Sequence, residues 1–157
     1  MKTTLRSLAL RLLKLFIKLS FPNVSQITTV EFAAWLLDSA KLQPFVLDAR
    51  SQAEHAVSHI KTAMRIDPVA PDLTALSTVS QDTPIVVYCS VGYRSAKVAQ
   101  QLQRKGFSQI FNLSGGLFQW ANETRPMFKD DEHPTQLVHP YDATWGKLLK
   151  TCYHAEN

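Results

Sequence analysis

A cysteine stands where a short apolar segment meets a helical pattern. Residues 84–88, Pro-Ile-Val-Val-Tyr, predict the clearest buried strand in the chain. Cys89 follows this strand directly, and a helix is predicted from about Arg94 to Lys105, where Gly106 ends it. The carboxyl edge of a parallel sheet is where ligands bind in α/β proteins. Cys89 is therefore a candidate nucleophile.

The segment after Cys89 has the residue types of an anion-binding loop. Backbone N–H groups of a tight loop before a helix point toward a common centre, and the helix dipole adds positive potential there. Such a loop favours the thiolate, which is the nucleophilic form of cysteine. Gly92 permits the tight turn, and the forked guanidinium of Arg94 suits an anionic sulfur donor such as thiosulfate. The expected substrate-binding residues are Ser90, Val91, Gly92, Tyr93 and Arg94.

Two alternatives stay open for this segment. Free cysteines are often small buried core residues, so Cys89 could simply end a strand. Arg94 stands at the start of a helix, so its side chain could point outward into solvent instead of into a pocket.

From about residue 25, the elements around the loop alternate between short strands and helices. Capping boxes, Thr28 with Glu31 and Ser51 with Glu54, predict the start of two helices. Strands separated by helices at this interval predict an α/β domain with a central parallel sheet between two helical layers. The other predicted elements are strands at 44–47, 62–66 and 110–113, a short helix at 71–79 and a last short helix around Phe118 and Trp120.

The charge of the chain is unevenly distributed. The formal net charge is +4 over 157 residues, but residues 1–24 contain basic residues and no acidic one. Those basic residues are Lys2, Arg6, Arg11, Lys14 and Lys18. Residues 25–157 carry the other 12 basic and all 13 acidic residues, a net charge of −1. The domain itself is not basic, so nucleic-acid binding is not expected.

Residues 3–19 predict an amphipathic helix. On a helical wheel the polar side chains occupy a narrow wedge, and leucines with Phe16 cover much of the remainder. A basic helix with a broad apolar face is typical of a helix that lies in a membrane interface. It could instead pack on its own domain or act as a targeting segment. Arg11, Lys14 and Lys18 interrupt the apolar stretch, so a spanning helix is not expected.

The remaining reactive residues predict little further chemistry. Cys89 and Cys152 are the two cysteines of the chain, too few for a disulfide framework and consistent with a reducing compartment. We therefore expect a cytoplasmic location, with peripheral membrane contact through residues 3–19. Cys152 is expected to be an incidental apolar residue, with a resolving role opposite Cys89 as the alternative. The histidines do not fall at metal-ligand spacings, so we expect no metal site.

Four segments resemble the rhodanese-like domain family in order and spacing. They are residues 47–50 with Glu54, residues 58–63, the loop from Cys89 to Ser95, and residues 112–116 with Trp120. The resemblance covers about residues 25–124. The second segment departs from the family pattern, which usually has Gly at positions 58 and 62 and Pro at 61, where this chain has Ser, Thr and Lys. The resemblance implies a rhodanese fold and a thiosulfate sulfurtransferase that forms a persulfide on Cys89.

The resemblance also places supporting residues and separates two chemistries. We expect Asp48 to be a buried carboxylate, and Arg50 to form an ion pair with Glu54 that supports the loop. From Cys89 to Arg94 the loop has six residues. The related phosphatases and arsenate reductases have one more, which makes room for a tetrahedral oxyanion.

The sequence thus predicts three parts and one activity. Residues 1–24 form the basic amphipathic helix, residues 25–125 the rhodanese-like domain and residues 126–157 a C-terminal extension. The expected enzyme moves a sulfane sulfur from thiosulfate or polysulfide to a thiol or cyanide acceptor through a Cys89 persulfide, without a cofactor. The alternatives are a non-catalytic docking module at a membrane surface and a phosphatase or arsenate reductase of the same fold.

Overall fold

The computed structural model describes residues 2–156, with side chains from residue 5 onward, so the side chain of Lys2 lies outside it. The helices are α1 (Lys2–Ser20), α2 (Thr29–Leu37), α3 (Gln52–Val57), α4 (Tyr93–Arg104) and α5 (Gly116–Asn122). The strands are β1 (Ser25–Ile27), β2 (Phe45–Asp48), β3 (Met64–Arg65), β4 (Ile85–Tyr88), β5 (Ile110–Leu113), β6 (Met127–Phe128) and β7 (Pro134–Thr135). Short 3₁₀ turns occupy Thr74–Leu76, Trp145–Leu148 and Thr151–Tyr153.

A parallel sheet in the order β1-β5-β4-β2-β3 organises the domain. This topology confirms the predicted α/β class. β4 is central and all four of its residues are buried, as a continuous apolar strand requires. Val86 and Tyr88 face the core that includes α2 and α5, whereas Ile85 and Val87 face the core that includes α1 and α4. The sheet therefore lies between two helical layers, and the chain leaves it at Cys89.

The longer elements agree with the sequence, and the shortest ones differ. Both predicted capping boxes are present, at the starts of α2 and α3. The helix predicted at 71–79 is only a 3₁₀ turn at Thr74–Leu76, and the strand predicted at 62–66 is reduced to Met64–Arg65. The sequence does not predict β1, β6 or β7, because two or three residues are too few to show an alternating pattern.

α1 packs on the domain by one face and leaves a second apolar face exposed. Leu10 and Ile17 are buried, and at the edges of this contact Arg6 Nε donates to the Lys147 carbonyl and Lys14 Nζ to Gln119 Oε1. This helix therefore packs on its own domain, which is one of the alternatives that the sequence leaves open. The second face exposes six large apolar side chains by 52–71%: Leu5, Leu8, Leu12, Leu15, Phe16 and Leu19.

Within residues 2–156, no helix has both the length and the apolar character that crossing a bilayer requires.

The segment after residue 126 is bound tightly to the domain. Val138 and Leu149 are buried in the core that contains Phe32 and Trp120, and within the segment the Val138 N–H donates to the Tyr153 carbonyl over 2.7 Å. Asn122, the last residue of α5, donates to the Leu148 carbonyl and accepts from the Lys150 N–H, both over 2.8 Å. These contacts hold the Trp145–Leu148 turn beside α1, with which it is in contact.

Candidate active site

Cys89 lies at the junction of β4 and α4, and its side chain is buried. The Gly92 N–H donates to Cys89 Sγ over 3.1 Å. Gly92 has φ 108°, in the left-handed region that favours glycine. Because α4 begins at the next residue, Tyr93, the positive end of its dipole lies beside the sulfur. The hydrogen bond and the dipole both stabilise negative charge on Sγ.

The start of α5 holds the loop by its carbonyl groups. The N–H groups of Leu117 and Phe118 donate to the carbonyls of Cys89 and Ser90, over 2.8 and 2.9 Å. Peptide groups are planar and trans, so the N–H groups that follow these carbonyls, on Ser90 and Val91, point away from α5. A Cβ on Gly116 would collide with the Cys89 carbonyl oxygen, so this close approach requires glycine.

Two buried polar side chains, Asn112 on β5 and Ser95 on α4, hold the loop in place. Asn112 Nδ2 donates to the Gly92 carbonyl and to Gln26 Oε1, each over 3.0 Å. Its Oδ1 accepts from the Ser95 hydroxyl over 2.6 Å, and that hydroxyl lies 3.5 Å from Cys89 Sγ. Neither role is among the sequence predictions. The sequence does contain a signal for Asn112, because this residue interrupts an otherwise apolar strand and a buried amide needs partners.

Glu54 joins α3 to the loop through an ion pair in which the carboxylate is buried and the Arg94 side chain is partly exposed. Arg94 Nη1 and Nη2 donate to its two carboxylate oxygens over 2.8 and 2.7 Å, and the Ser90 hydroxyl donates to Oε1 over 2.8 Å. Burial alone would raise the pKa of Glu54. The hydrogen bonds from Arg94 and the Ser51 N–H, with the charge of Arg94, outweigh that effect and lower the pKa to about 2. Glu54 is therefore a fixed negative charge.

This pairing shows the partner of Arg94 and corrects the predicted partner of Arg50. Both terminal nitrogens of Arg94 donate to Glu54, so its guanidinium is already paired within the site. Arg50 does not pair with Glu54. Its guanidinium is fully buried and binds Asp48 in a fork, with Nε to Oδ1 at 2.8 Å and Nη2 to Oδ2 at 2.6 Å. The sequence does not identify Arg94 as the partner of Glu54, because the two residues are 40 positions apart and sequence spacing does not predict contacts at that separation.

Asp48 is a buried carboxylate, as expected. Besides Arg50 it accepts from the Tyr88 hydroxyl over 2.9 Å and lies 2.9 Å from His55 Nδ1. Burial would raise the pKa of Asp48, but the charge of Arg50 and the hydrogen bonds from His55, Arg50 and Tyr88 lower it to about 2. The Tyr88 hydroxyl oxygen in turn accepts from the Ile60 N–H over 3.1 Å, so this cluster connects β2 and β4 to the segment after α3. Asp48 and Arg50 are not among the residues that line the cavity above Cys89.

A cavity of about 330 Å³ opens above Cys89. Its floor contains Cys89, Ser90 and Arg94. Its walls are apolar or aromatic, and the residues that provide them are Leu13, Phe16, Val91, Tyr93, Tyr141 and Trp145. The floor and two of the wall residues, Val91 and Tyr93, are predicted from the sequence. The walls that come from α1 and the C-terminal segment are not. Cys152 is exposed and is not among the lining residues.

Comparison with known proteins identifies the family. The profile of the rhodanese-like domain matches residues 29–123, and the chain belongs to this family. It is 28% identical over 104 residues to a protein named sulfurtransferase from Allochromatium vinosum, covering 66% of this chain and 94% of that protein. It is 33% identical over 103 residues to the probable adenylyltransferase/sulfurtransferase MoeZ of Mycobacterium tuberculosis, covering 65% of this chain but only 26% of MoeZ. Among solved structures it resembles a rhodanese-like domain protein from Staphylococcus aureus, with 28% identity and a TM-score of 0.53 over 62% of this chain and 91% of that one.

Proposed function

We propose that this protein is a sulfurtransferase that carries a sulfane sulfur as a persulfide on Cys89. The observation that carries the proposal is the position of Cys89 Sγ. It lies at the floor of a cavity, accepts the Gly92 N–H and lies beside the N-terminus of α4. Membership of a family whose named relatives include sulfurtransferases supports the same reaction.

The reaction has two steps that balance without an outside oxidant or cofactor. The Cys89 thiolate attacks the outer sulfur of the donor, and the sulfur–sulfur bond of the donor breaks. With thiosulfate as donor the bonding electron pair leaves on sulfite, and with a polysulfide it leaves on the shortened chain. A thiolate acceptor, or cyanide in an assay, then attacks the outer sulfur of the persulfide, and Cys89 returns as the thiolate. The Gly92 N–H and the α4 dipole stabilise the charge on sulfur in both states.

Two matched cysteine variants test this function. Cys89→Ser should abolish sulfur transfer to cyanide, because a serine hydroxyl is not ionised at neutral pH and forms no persulfide. Cys152→Ser should keep the activity of the natural chain, because Cys152 is exposed and away from the cavity lining. Loss of activity in the Cys152 variant, or full activity in the Cys89 variant, would contradict the proposal.

We also propose that the exposed face of α1 contacts an anionic membrane surface. The face presents six large apolar side chains, from Leu5 to Leu19. Arg11 and Lys18 are exposed beside it, and α1 contains no acidic residue. An apolar face with basic side chains at its edge is the composition that suits an interface of anionic lipid headgroups. A cytoplasmic location stays a prediction from the two cysteines.

Vesicle sedimentation tests this contact. The full chain should bind vesicles that contain phosphatidylglycerol, and raised salt or pure phosphatidylcholine should weaken the binding. Leu12→Glu should reduce binding because it places a charge in the apolar face. Leu37→Glu, at a residue 87% exposed on α2, is the control that should not reduce it. Equal binding by both variants, or a dimer that buries this face in analytical ultracentrifugation, would contradict membrane contact.

A further inference from the structure

The cavity above Cys89 is completed by segments outside the part that matches the family. Leu13 and Phe16 come from α1, and Tyr141 and Trp145 come from the C-terminal segment, whereas the family match is residues 29–123. The two outer segments hold each other in place, because α1 contacts the Trp145–Leu148 turn and Arg6 Nε donates to the Lys147 carbonyl over 3.2 Å. The walls are therefore a built part of this particular protein.

The wall residue Tyr141 has a strained backbone. Its φ of 69° lies in the left-handed region, which aromatic residues rarely adopt. The Tyr141 N–H donates to His139 Nδ1 over 3.0 Å, which stabilises the turn. This conformation places its ring over Arg94, with the guanidinium carbon 4.9 Å from the ring centroid. Strain at such a site is retained when the position of the side chain matters. Here it covers the cation of the cavity with an aromatic ring.

The charge balance of the cavity disfavours an inorganic dianion. Nine residues line the cavity in the described part of the chain, and Arg94 is the one Lys or Arg among them. Both of its terminal nitrogens donate to Glu54. A thiosulfate dianion entering between apolar walls loses water without gaining an unpaired cation. An apolar group on the donor instead gains contact with Phe16, Tyr141 and Trp145.

We propose that this cavity selects an organic sulfur donor with an apolar group, an aryl or alkyl persulfide, over inorganic thiosulfate. The inference rests on the proposed sulfur transfer at Cys89 and names its substrate class. The Cys89 thiolate attacks the outer sulfur of the donor R–S–SH, and the sulfur–sulfur bond breaks. The electron pair leaves with the thiolate R–S⁻, and Cys89 becomes Cys–S–SH. No oxidant or reductant is consumed, because the sulfane sulfur keeps its oxidation state.

Three stable donors test the preference. Benzenethiosulfonate and methanethiosulfonate share one reactive group and differ in their apolar substituent, and thiosulfate has an anionic oxygen in place of that substituent. With cyanide as acceptor, kcat/KM should be about 10-fold higher for the benzene than for the methane compound, as burial of the additional apolar surface implies. Thiosulfate should have the lowest value. Equal values for the benzene and methane compounds, or a higher value for thiosulfate, would overturn the inference.

Variants of the wall establish whether the contact causes the preference. Phe16→Ala and Trp145→Ala should each lower the ratio of kcat/KM for the benzene compound to that for the methane compound, by about 3- to 10-fold. Leu19→Ala, a control on α1 at a residue 71% exposed and not in the cavity lining, should leave the ratio unchanged. A ratio that neither wall variant changes would overturn the inference. Failure of the proposed function has a different outcome, because then none of the three donors would transfer sulfur through Cys89.

Discussion

The floor and the walls of the cavity are built in different ways. The floor is polar and is held by hydrogen bonds. Asn112 donates to the Gly92 carbonyl of the loop, and Glu54 accepts from Ser90 and Arg94. It lies wholly within residues 29–123, the part shared with the rhodanese-like family. The walls are apolar, and four of their six side chains come from α1 and the C-terminal segment, outside that part. Under the proposed function, sulfur transfer therefore depends on the part shared with the family, and the choice of donor depends on segments outside it.

This separation follows from what each region has to do. A reactive sulfur needs fixed N–H groups, and fixing them needs many hydrogen bonds whose partners must all be present. An apolar wall needs only surface of suitable shape, so segments added before and after the domain are able to supply it. Variants of the floor should therefore change the rate with every donor, and variants of the walls should change the order of donors.

The largest expected effect is at the contact between α5 and the loop. Gly116→Ala places a Cβ 2.7 Å from the Ser90 carbonyl carbon, so the loop has to shift and kcat/KM should fall about 100-fold with all donors. Gly115→Ala is the matched control. Gly115 also has positive φ, at 84°, but its Cβ would meet the Gln119 side chain and not the loop backbone. It should lower the free energy of unfolding by about 1 kcal/mol and keep most activity. Similar rate losses in both variants would contradict this view of the floor.

A smaller effect is expected at Arg94. Arg94→Ala leaves the buried Glu54 carboxylate without its partner and releases Ser90, so kcat/KM should fall about 10-fold with benzenethiosulfonate and with thiosulfate alike. An equal loss with both donors identifies Arg94 as a positioning residue of the floor. Steady-state kinetics decide it, because a loss confined to thiosulfate would mean that Arg94 binds the oxyanion of the donor.

The last prediction concerns stability instead of rate, and it is a dependence on pH. The folded pKa of Asp48 is about 2, below the ordinary 3.8, so its ion pair with Arg50 contributes stability above about pH 4. That contribution, about 2 kcal/mol, should be lost as the pH falls from about 4 through 2. Urea unfolding at several pH values measures it. Asp48→Asn should reduce the slope in this range to the part that is due to Glu54, whose pKa is also lowered to about 2, whereas the wall variant Trp145→Ala should keep the whole slope. An unchanged slope in Asp48→Asn would contradict the assignment.

The sequence was most informative where local pattern and position coincide. The apolar strand before Cys89 and the Gly92 turn lie next to each other in the chain, so the sheet edge, the loop and the start of α4 could be predicted together. The capping box at Ser51 and Glu54 likewise depends on a spacing of three residues. That spacing fixes one side of Glu54, its contact with the start of α3.

The sequence was uninformative where contacts join distant segments. Glu54 meets Arg94 across 40 residues, and both residues are charged, so several pairings with Arg50 and Asp48 were equally consistent with the sequence. The wall residues of the C-terminal segment follow a Pro-containing stretch without periodicity, which gives no position relative to Cys89. On α1 the apolar residues cover much of the wheel, so periodicity could not tell the buried Leu10 from the exposed Leu12.

Mass spectrometry that locates the transferred sulfur tests the role of Cys89 most directly. The full chain is incubated with benzenethiosulfonate or with thiosulfate, then digested and fragmented. We expect a mass increase of one sulfur atom on the peptide that contains Cys89, removed by later addition of cyanide, and none on the peptide that contains Cys152. Sulfur on Cys152 instead, or no added sulfur with either donor, would contradict the claim that Cys89 carries the persulfide.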